Sequence, residues 1–258
     1  MDTSSREPWT IGVVGAGVMG TGIAHTVALG GSRCLVWGRR QERAEEALRR
    51  AERKLVRAAL RRGMTREAAG RLGEHVVPVR TLDDMGAADL VIETVIEDPD
   101  VKRDVLGRID ACCSPGAVLA TNTSSLPLAT LAPALSAHSE RFLGTHFFYP
   151  APHRPLCELQ PAPAAGPAVL GRAREILTGL GVRCVVIDGS VAGSVASRLF
   201  GVLIAEAMRL RDQGAATAAD IDLLCEQGLG HTLGPLAAAD RIGRDTVLRA
   251  LRHGGLHP

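Results

Sequence analysis

The sequence predicts an α/β fold, a doubly wound sheet followed by a small all-helical domain, on three observations. A short apolar run enters a glycine-rich turn and leaves it as a helical pattern, with a second apolar run close behind. Short apolar runs and helical patterns then alternate as far as residue 188. From Val191 onward the strand signals stop and only helical periodicity remains.

Taken in order, Ile11 to Val14 reads as a strand, and Val18 to Leu29 as a helix with apolar spacing at Val18, Ile23 and Val27. Cys34 to Trp37 completes a βαβ unit within about thirty residues. Gln41 to Arg62 is a long arginine-rich helix with few apolar anchors. Strands follow in "HVVPV" and in "ADLVIETVIE", the latter ending at Glu93 or beyond. Asp98 to Cys112, with Pro near its start, is a helix that returns the chain to the strand "AVLATNTSS". Leu128 to Leu135 is a short helix, and "RFLGTHFFYP" and "PLCELQP" are apolar segments punctuated by Pro, read as strands or extended loop in a Pro-bounded hairpin. Val169 to Leu180 is helical and "RCVVID" is the last strand. Three helices close the chain, near Val191 to Gln213, Ala218 to Gly228 and Leu236 to Arg252. Gly and Ser accumulate between Asp188 and Gly193, which places a dinucleotide-binding domain of Rossmann type over 8–188 and a helical domain over 189–258.

Composition excludes several classes. At 46% hydrophobic and 22% charged, the chain reads as a soluble globular protein. The 30 basic residues are mostly arginine and gather between Arg39 and Arg71, so an anionic partner is met locally and a nucleic-acid role is not suggested. The six cysteines form no C-x-x-C pair and have no His spacing that suits zinc, so no metal site is expected and the thiols read as reduced, in a cytoplasmic protein. The glycines and His25 within Ile11 to Leu29 argue against a signal peptide or membrane span there.

Gly15, Gly17 and Gly20 form a Gly-x-Gly-x-x-Gly turn between strand and helix, the context that gives the pattern meaning. Gly15 allows the tight turn, Gly17 lets a pyrophosphate approach backbone N–H groups at the positive helix end, and Gly20 lets the helix pack on the strand. Val18 and Met19 belong to the same cradle. The second strand of such a unit normally ends in an acid that binds the ribose of NAD; here Gly38 stands in that place, followed by Arg39 and Arg40. A guanidinium suits a 2′-phosphate, so NADP is expected first and NAD second, the alternative being that both arginines merely begin the next helix.

Four further stretches carry a resemblance: "ADLVIETVIEDPDVKRDVL", "ATNTSSLPLATLA", "RFLGTHFFYPAPHRPLCEL" and "GLGHTLGPLAAADRIGRDTVL". With "GVVGAGVMGTGIA" they resemble, in order and over almost the whole chain, the 3-hydroxyacyl-CoA dehydrogenase family. The resemblance implies a hydride transfer between NAD(P) and a 3-hydroxyacyl or 3-oxoacyl thioester, and a helical second domain that usually dimerises. It implies His146 as catalytic base, Glu158 as its partner, Ser124 as the hydroxyl at the substrate oxygen, and Asn122 as support in the same turn. Apart from the family, removing a hydroxyl proton suits a His whose tautomer a carboxylate fixes. Glu97 and Lys102 resemble positions near the nicotinamide and its ribose, although an i,i+5 surface charge pair would read the same way.

Three departures bear on the substrate. Tyr149 stands three residues after His146 and Ser197 lies in "ASR", both where the family has asparagines that contact substrate, so a remodelled acyl pocket is expected. The chain also ends at "LRHGGLHP", which implies a shortened second domain whose homodimer surface is not assured. Arg49, Arg50, Arg53, Lys54, Arg57, Arg61 and Arg62 present cations that can meet phosphates of an acyl-CoA or of an acyl carrier protein, or simply face solvent. A small hydroxyacyl group on a carrier protein, and a nucleotide-binding protein without turnover, are the rival readings. Hydroxyisobutyrate-type dehydrogenases share the glycine turn but need a lysine in the second domain, and no lysine follows Lys102.

Overall fold

The computed structural model describes residues 8–188 and 193–243, which fall into two compact units, 8–123 with 128–188 and 124–127 with 193–243. The first unit runs β1 (Thr10–Val14), α1 (Val18–Leu29), β2 (Arg33–Trp37), α2 (Gln41–Arg61), α3 (Arg66–Arg71), β3 (Val76–Val79), β4 (Leu90–Glu93), α4 (Pro99–Cys112), β5 (Val118–Asn122), α5 (Leu128–Leu131), β6 (Phe142–Phe147), β7 (Leu156–Pro161), α6 (Pro167–Gly179) and β8 (Arg183–Val186). The second carries α7 (Val195–Asp212), α8 (Ala218–Leu223) and α9 (Pro235–Ile242).

The strands form one sheet in the order β3-β2-β1-β4-β5-β6-β7-β8. All neighbours are parallel except β6 and β7, which pair antiparallel. The reversal of strand order around β1 is the topological switch point at which such sheets bind ligands. Central strands covered on both faces must be apolar throughout, and Ile11, Val13, Val36, Leu90, Ile92 and Leu143 are buried in one core with Ile23 and Val27 of α1. Each such side chain contributes about 1.5–3 kcal/mol by leaving water.

Local chemistry sets the helix ends. Asp98 caps α4 by accepting from the amides of Asp100 and Val101, with Pro99 in the first turn, where its missing N–H costs nothing. Gly17 at the N-cap of α1 brings no side-chain cap, so the first-turn amides stay available to a ligand.

Four elements differ from the sequence reading. The helix expected over Leu128 to Leu135 is one α turn followed by a 3-10 turn at Ala132–Ala134, because Pro133 lacks the amide that would continue it. The helix expected over Ala218 to Gly228 changes to a π turn at Leu224–Gly228. Helix α3, capped by Thr65, is too short and polar to leave a periodic signal. Of the helix expected over Leu236 to Arg252, α9 covers the part to Ile242; positions 244–258, and the residues 189–192 of the expected boundary, lie outside the described residues. The cysteines are free thiols, and among the described residues no helix is long and apolar enough to cross a membrane and no His, Cys, Asp and Glu cluster is placed to hold a metal ion.

Candidate active site

The glycine turn at the end of β1 is held in place by its neighbours. Gly15 has φ of +121°, donates its N–H to the Trp37 carbonyl at 2.8 Å, and has Thr94 so close that a Cβ would lie 2.7 Å from Thr94 Oγ1. Thr94 completes the turn by donating its hydroxyl to the Gly15 carbonyl at 2.9 Å. A Cβ on Gly20 would overlap that carbonyl, so α1 can approach only with glycine there. Gly17 faces open space, with no atom within 4 Å of where a Cβ would sit. An uncapped helix start beside an open glycine fits a pyrophosphate.

Gly38 has a structural reason. A Cβ there would lie 2.8 Å from Ala44 Cβ, so the approach of α2 to the end of β2 leaves no room for the expected acid. Arg39 and Arg40 are exposed at the start of α2, and neither makes an ion pair or side-chain hydrogen bond among the described residues.

Antiparallel pairing of β6 with β7 sets His146 directly opposite Glu158. Their side chains meet at 2.8 Å, Nδ1 to Oε2, and both are largely buried. A carboxylate only accepts, so Nδ1 carries the hydrogen and Nε2 is left to exchange a proton. The Phe148 ring packs edge-on against the imidazole at 4.7 Å and limits its rotation.

A buried polar cluster joins the ends of β4 and β5 to α4. Lys102 and Glu93 are both 0% exposed, and the ammonium meets the two carboxylate oxygens at 2.9 and 3.0 Å. Lys102 also donates to the Asn122 carbonyl at 3.1 Å, and its nitrogen lies 3.6 Å from the carboxylate of Glu97. Glu93 accepts in addition from the Thr121 hydroxyl and the Val95 amide, both at 2.5 Å. Burial pushes the Glu93 carboxyl up, while Lys102 and Thr121 pull it back. The reading of Glu97 and Lys102 as a surface pair is therefore overturned: Lys102 lies wholly inside. Removing one partner of such a pair costs about 3–5 kcal/mol, whereas replacing both by neutral groups is often harmless. Asn122 extends the cluster to β6, its Oδ1 accepting from the Phe147 amide at 3.0 Å, and Thr123 donates its hydroxyl to Glu97 at 2.6 Å.

A cavity of about 600 Å³ opens beside the glycine turn. Arg50, Lys54, Arg57 and Arg61 of α2 line it at spacings of four, three and four residues, which puts them on one helix face. Gly17 at the N-cap of α1, His25 within that helix and the segment Tyr149 to His153 form other walls. Arg62, grouped with these cations by sequence, instead donates to the Pro152 carbonyl at 2.9 Å and ties α2 to that segment. Arg49 lines a second cavity of about 320 Å³ on another face of α2. His25 lines both cavities, is 4% exposed, and is held down to a pKa of about 4 by burial and then by Lys54.

Val18, exposed, and Met19 lie in the first turn of α1; two further sequence candidates, Ser124 and Ser197, belong to the second unit. Ser124 lies in the 124–127 segment and its carbonyl accepts from the Ser194 amide at 3.1 Å. Ser197 sits in the first turn of α7, its amide donating to the Ser194 hydroxyl that caps the helix. Thr94, Glu93, Thr121 and His25 were not among the sequence candidates; a Thr or Glu at a strand end reads like any other until its neighbours are known.

A glycine-turn anion cradle and an imidazole–carboxylate pair on one doubly wound sheet are the equipment of a dinucleotide-dependent oxidoreductase. The model of the 3-hydroxyacyl-CoA dehydrogenase NAD binding domain matches residues 10–190, and that of the family's C-terminal domain matches residues 193–257. The chain belongs to the 3-hydroxyacyl-CoA dehydrogenase family. It is 34% identical over 248 residues to a 3-hydroxybutyryl-CoA dehydrogenase of Bradyrhizobium diazoefficiens, covering 95% of this chain and 84% of that one. A 3-hydroxybutyryl-CoA dehydrogenase of Mycobacterium tuberculosis is 34% identical, with 92% and 83% covered. The crystal structure of (S)-3-hydroxybutyryl-CoA dehydrogenase from Ralstonia eutropha superimposes with a TM-score of 0.87 at 30% identity, covering 96% of this chain and 87% of that one.

Proposed function

We propose that this chain interconverts a 3-hydroxyacyl-CoA and its 3-oxoacyl-CoA, using NADP in preference to NAD. The pairing of His146 with Glu158 at 2.8 Å carries the reading. In oxidation Nε2 of His146 takes the hydroxyl proton while Glu158 steadies the imidazolium; in reduction His146 returns that proton to the carbonyl oxygen. The dinucleotide, when bound, accepts or supplies the hydride. Gly15, Gly17, Val18, Met19 and Gly20 cradle its pyrophosphate, Arg39 and Arg40 hold its 2′-phosphate, and Glu97 and Asn122, with Lys102, serve its nicotinamide end. The exposure of both arginines and the lack of room for an acid at Gly38 support the NADP preference. Ser124, at the substrate oxygen, and Ser197 are assigned substrate roles on the family resemblance.

The cationic face of α2 suits the phosphates of coenzyme A, with Tyr149 on the same cavity. A thioester on an acyl carrier protein is the second reading, favoured by Tyr149 and Ser197 in place of the family asparagines. Exposed Leu199, Val202, Leu223 and Leu224 in the second unit support a homodimer. Cytoplasmic location fits the free cysteines.

Initial rates of acetoacetyl-CoA reduction with NADPH and with NADH, on the wild type and on Arg39→Ser, test this. NADPH should be preferred, and Arg39→Ser should raise its KM about tenfold while leaving that for NADH nearly unchanged. NADH preference in the wild type would overturn the arginine reading. Turnover only with a carrier-bound ester would move the substrate to the second reading, and none with either would leave a binding protein.

A further inference from the structure

We infer that Glu93 is a positioning residue of the dinucleotide site: acting through Lys102, it fixes the Asn122 carbonyl and the Glu97 carboxylate at the strand ends. The inference rests on the proposed dinucleotide site and adds a residue to it that touches no ligand.

The geometry ties Lys102 to Glu93 first. An ammonium has three hydrogens. Two oxygens of Glu93 and the carbonyl of Asn122 lie at 2.9, 3.0 and 3.1 Å from it, and no part of the side chain reaches solvent. These three bonds fix where the ammonium sits. What it presents toward the site is its charge, 3.6 Å from the carboxylate of Glu97, a side chain that is 35% exposed and so reachable by a ligand. The Thr123 hydroxyl holds the other oxygen of Glu97 at 2.6 Å, so this carboxylate is gripped from two sides.

Glu93 makes that placement possible. A buried lysine without a carboxylate would lose its proton or move toward water. Both oxygens of Glu93 are in turn oriented, one by the Val95 amide and the other by the Thr121 hydroxyl. The Asn122 carbonyl that Lys102 holds belongs to the residue whose Oδ1 accepts from Phe147, next to His146. One buried carboxylate thereby sets the relative positions of groups from β4, β5, β6 and α4.

Three variants test the inference: Glu93→Gln, Lys102→Met, and the two combined. Each single change strands a polar group and should lower Tm strongly. In the double variant the amide introduced at position 93 can still accept from Val95 and donate to Thr121, so Tm should return to within a few degrees of wild type. Dinucleotide affinity should not return. Titration of NADPH fluorescence should give a Kd raised at least about tenfold in the double variant, with the KM for NADPH raised in step. Recovery of wild-type Kd together with Tm would show the pair to be structural only and overturn the inference. Should the double variant fail to fold, Thr121→Val decides instead: it removes one bond to Glu93, a weakened NADPH Kd of about threefold supports the inference, and an unchanged one overturns it. Wild-type protein that binds neither NADPH nor NADH would overturn the underlying dinucleotide reading, a result distinct from any variant's.

Discussion

Charges in this protein are handled in two opposite ways on either side of the glycine turn. At the ends of β4 and β5, Glu93 and Lys102 are sealed from water and their hydrogen bonds are made within the protein. On α2, Lys54, Arg57 and Arg61 stand in solvent along a cavity, and no carboxylate pairs with them among the described residues. Arg50 is the exception, ion-paired with Glu46 one helical turn away. The difference teaches how each region can act. A buried, internally bonded cluster holds geometry; an exposed row of cations binds an anion while ordering nothing until it arrives.

The comparison can be broken from the α2 side. Lys54→Glu with Arg61→Glu should raise the KM for acetoacetyl-CoA on the order of thirtyfold in dilute buffer, and less at about 0.5 M salt where exposed charges are screened, with kcat little altered. Steady-state kinetics at two ionic strengths checks this. A KM indifferent to both charge reversals would mean that the row is only a solvated face.

A smaller effect comes from His25, a neutral buried group beneath the same row, with Lys54, Arg50 and His153 around one cavity and Glu45, Arg49 and Glu52 around the other. Its folded pKa of about 4 lies below the ordinary 6.5, so the unfolded chain binds the proton more readily. Stability therefore falls as pH drops from 6.5 toward 4, and by about pH 5 the loss from this group is about 2 kcal/mol. Urea unfolding at about pH 7 and about pH 5 should show a gap that narrows by about that amount in His25→Gln. An equal gap in both proteins would place the acid sensitivity elsewhere.

The two regions also differ in how far they were legible in the sequence. Strand, turn and helix at Ile11 to Leu29 were readable because periodicity and glycine spacing are local, and the partnership of His146 with Glu158 was legible mainly through the family resemblance, whereas the register that sets them opposite is seen in the structure. The cations of α2 were visible, yet only the helix register separates the four on the cavity from Arg62, which serves the Pro152 carbonyl. The Glu93 and Lys102 cluster was illegible, since burial of a charge depends on what strands far apart in the chain bring to it. Thr121 lies 28 residues from Glu93, and nothing in "VIETVIEDPDVK" says which of its acids the lysine will meet. Gly38 was legible as an absence, but its cause, the closeness of Ala44, required coordinates.

The most direct measurement is made on His146→Ala. NADPH fluorescence titration should give a Kd close to that of the wild type, because β4 and β5 lie between β6, which carries the imidazole, and β1 with its glycine turn, while kcat for acetoacetyl-CoA reduction should fall by about 10²–10⁴. Full activity in that variant would contradict the assignment of His146 as the acid–base group and, with it, the account of how this sheet carries out its chemistry.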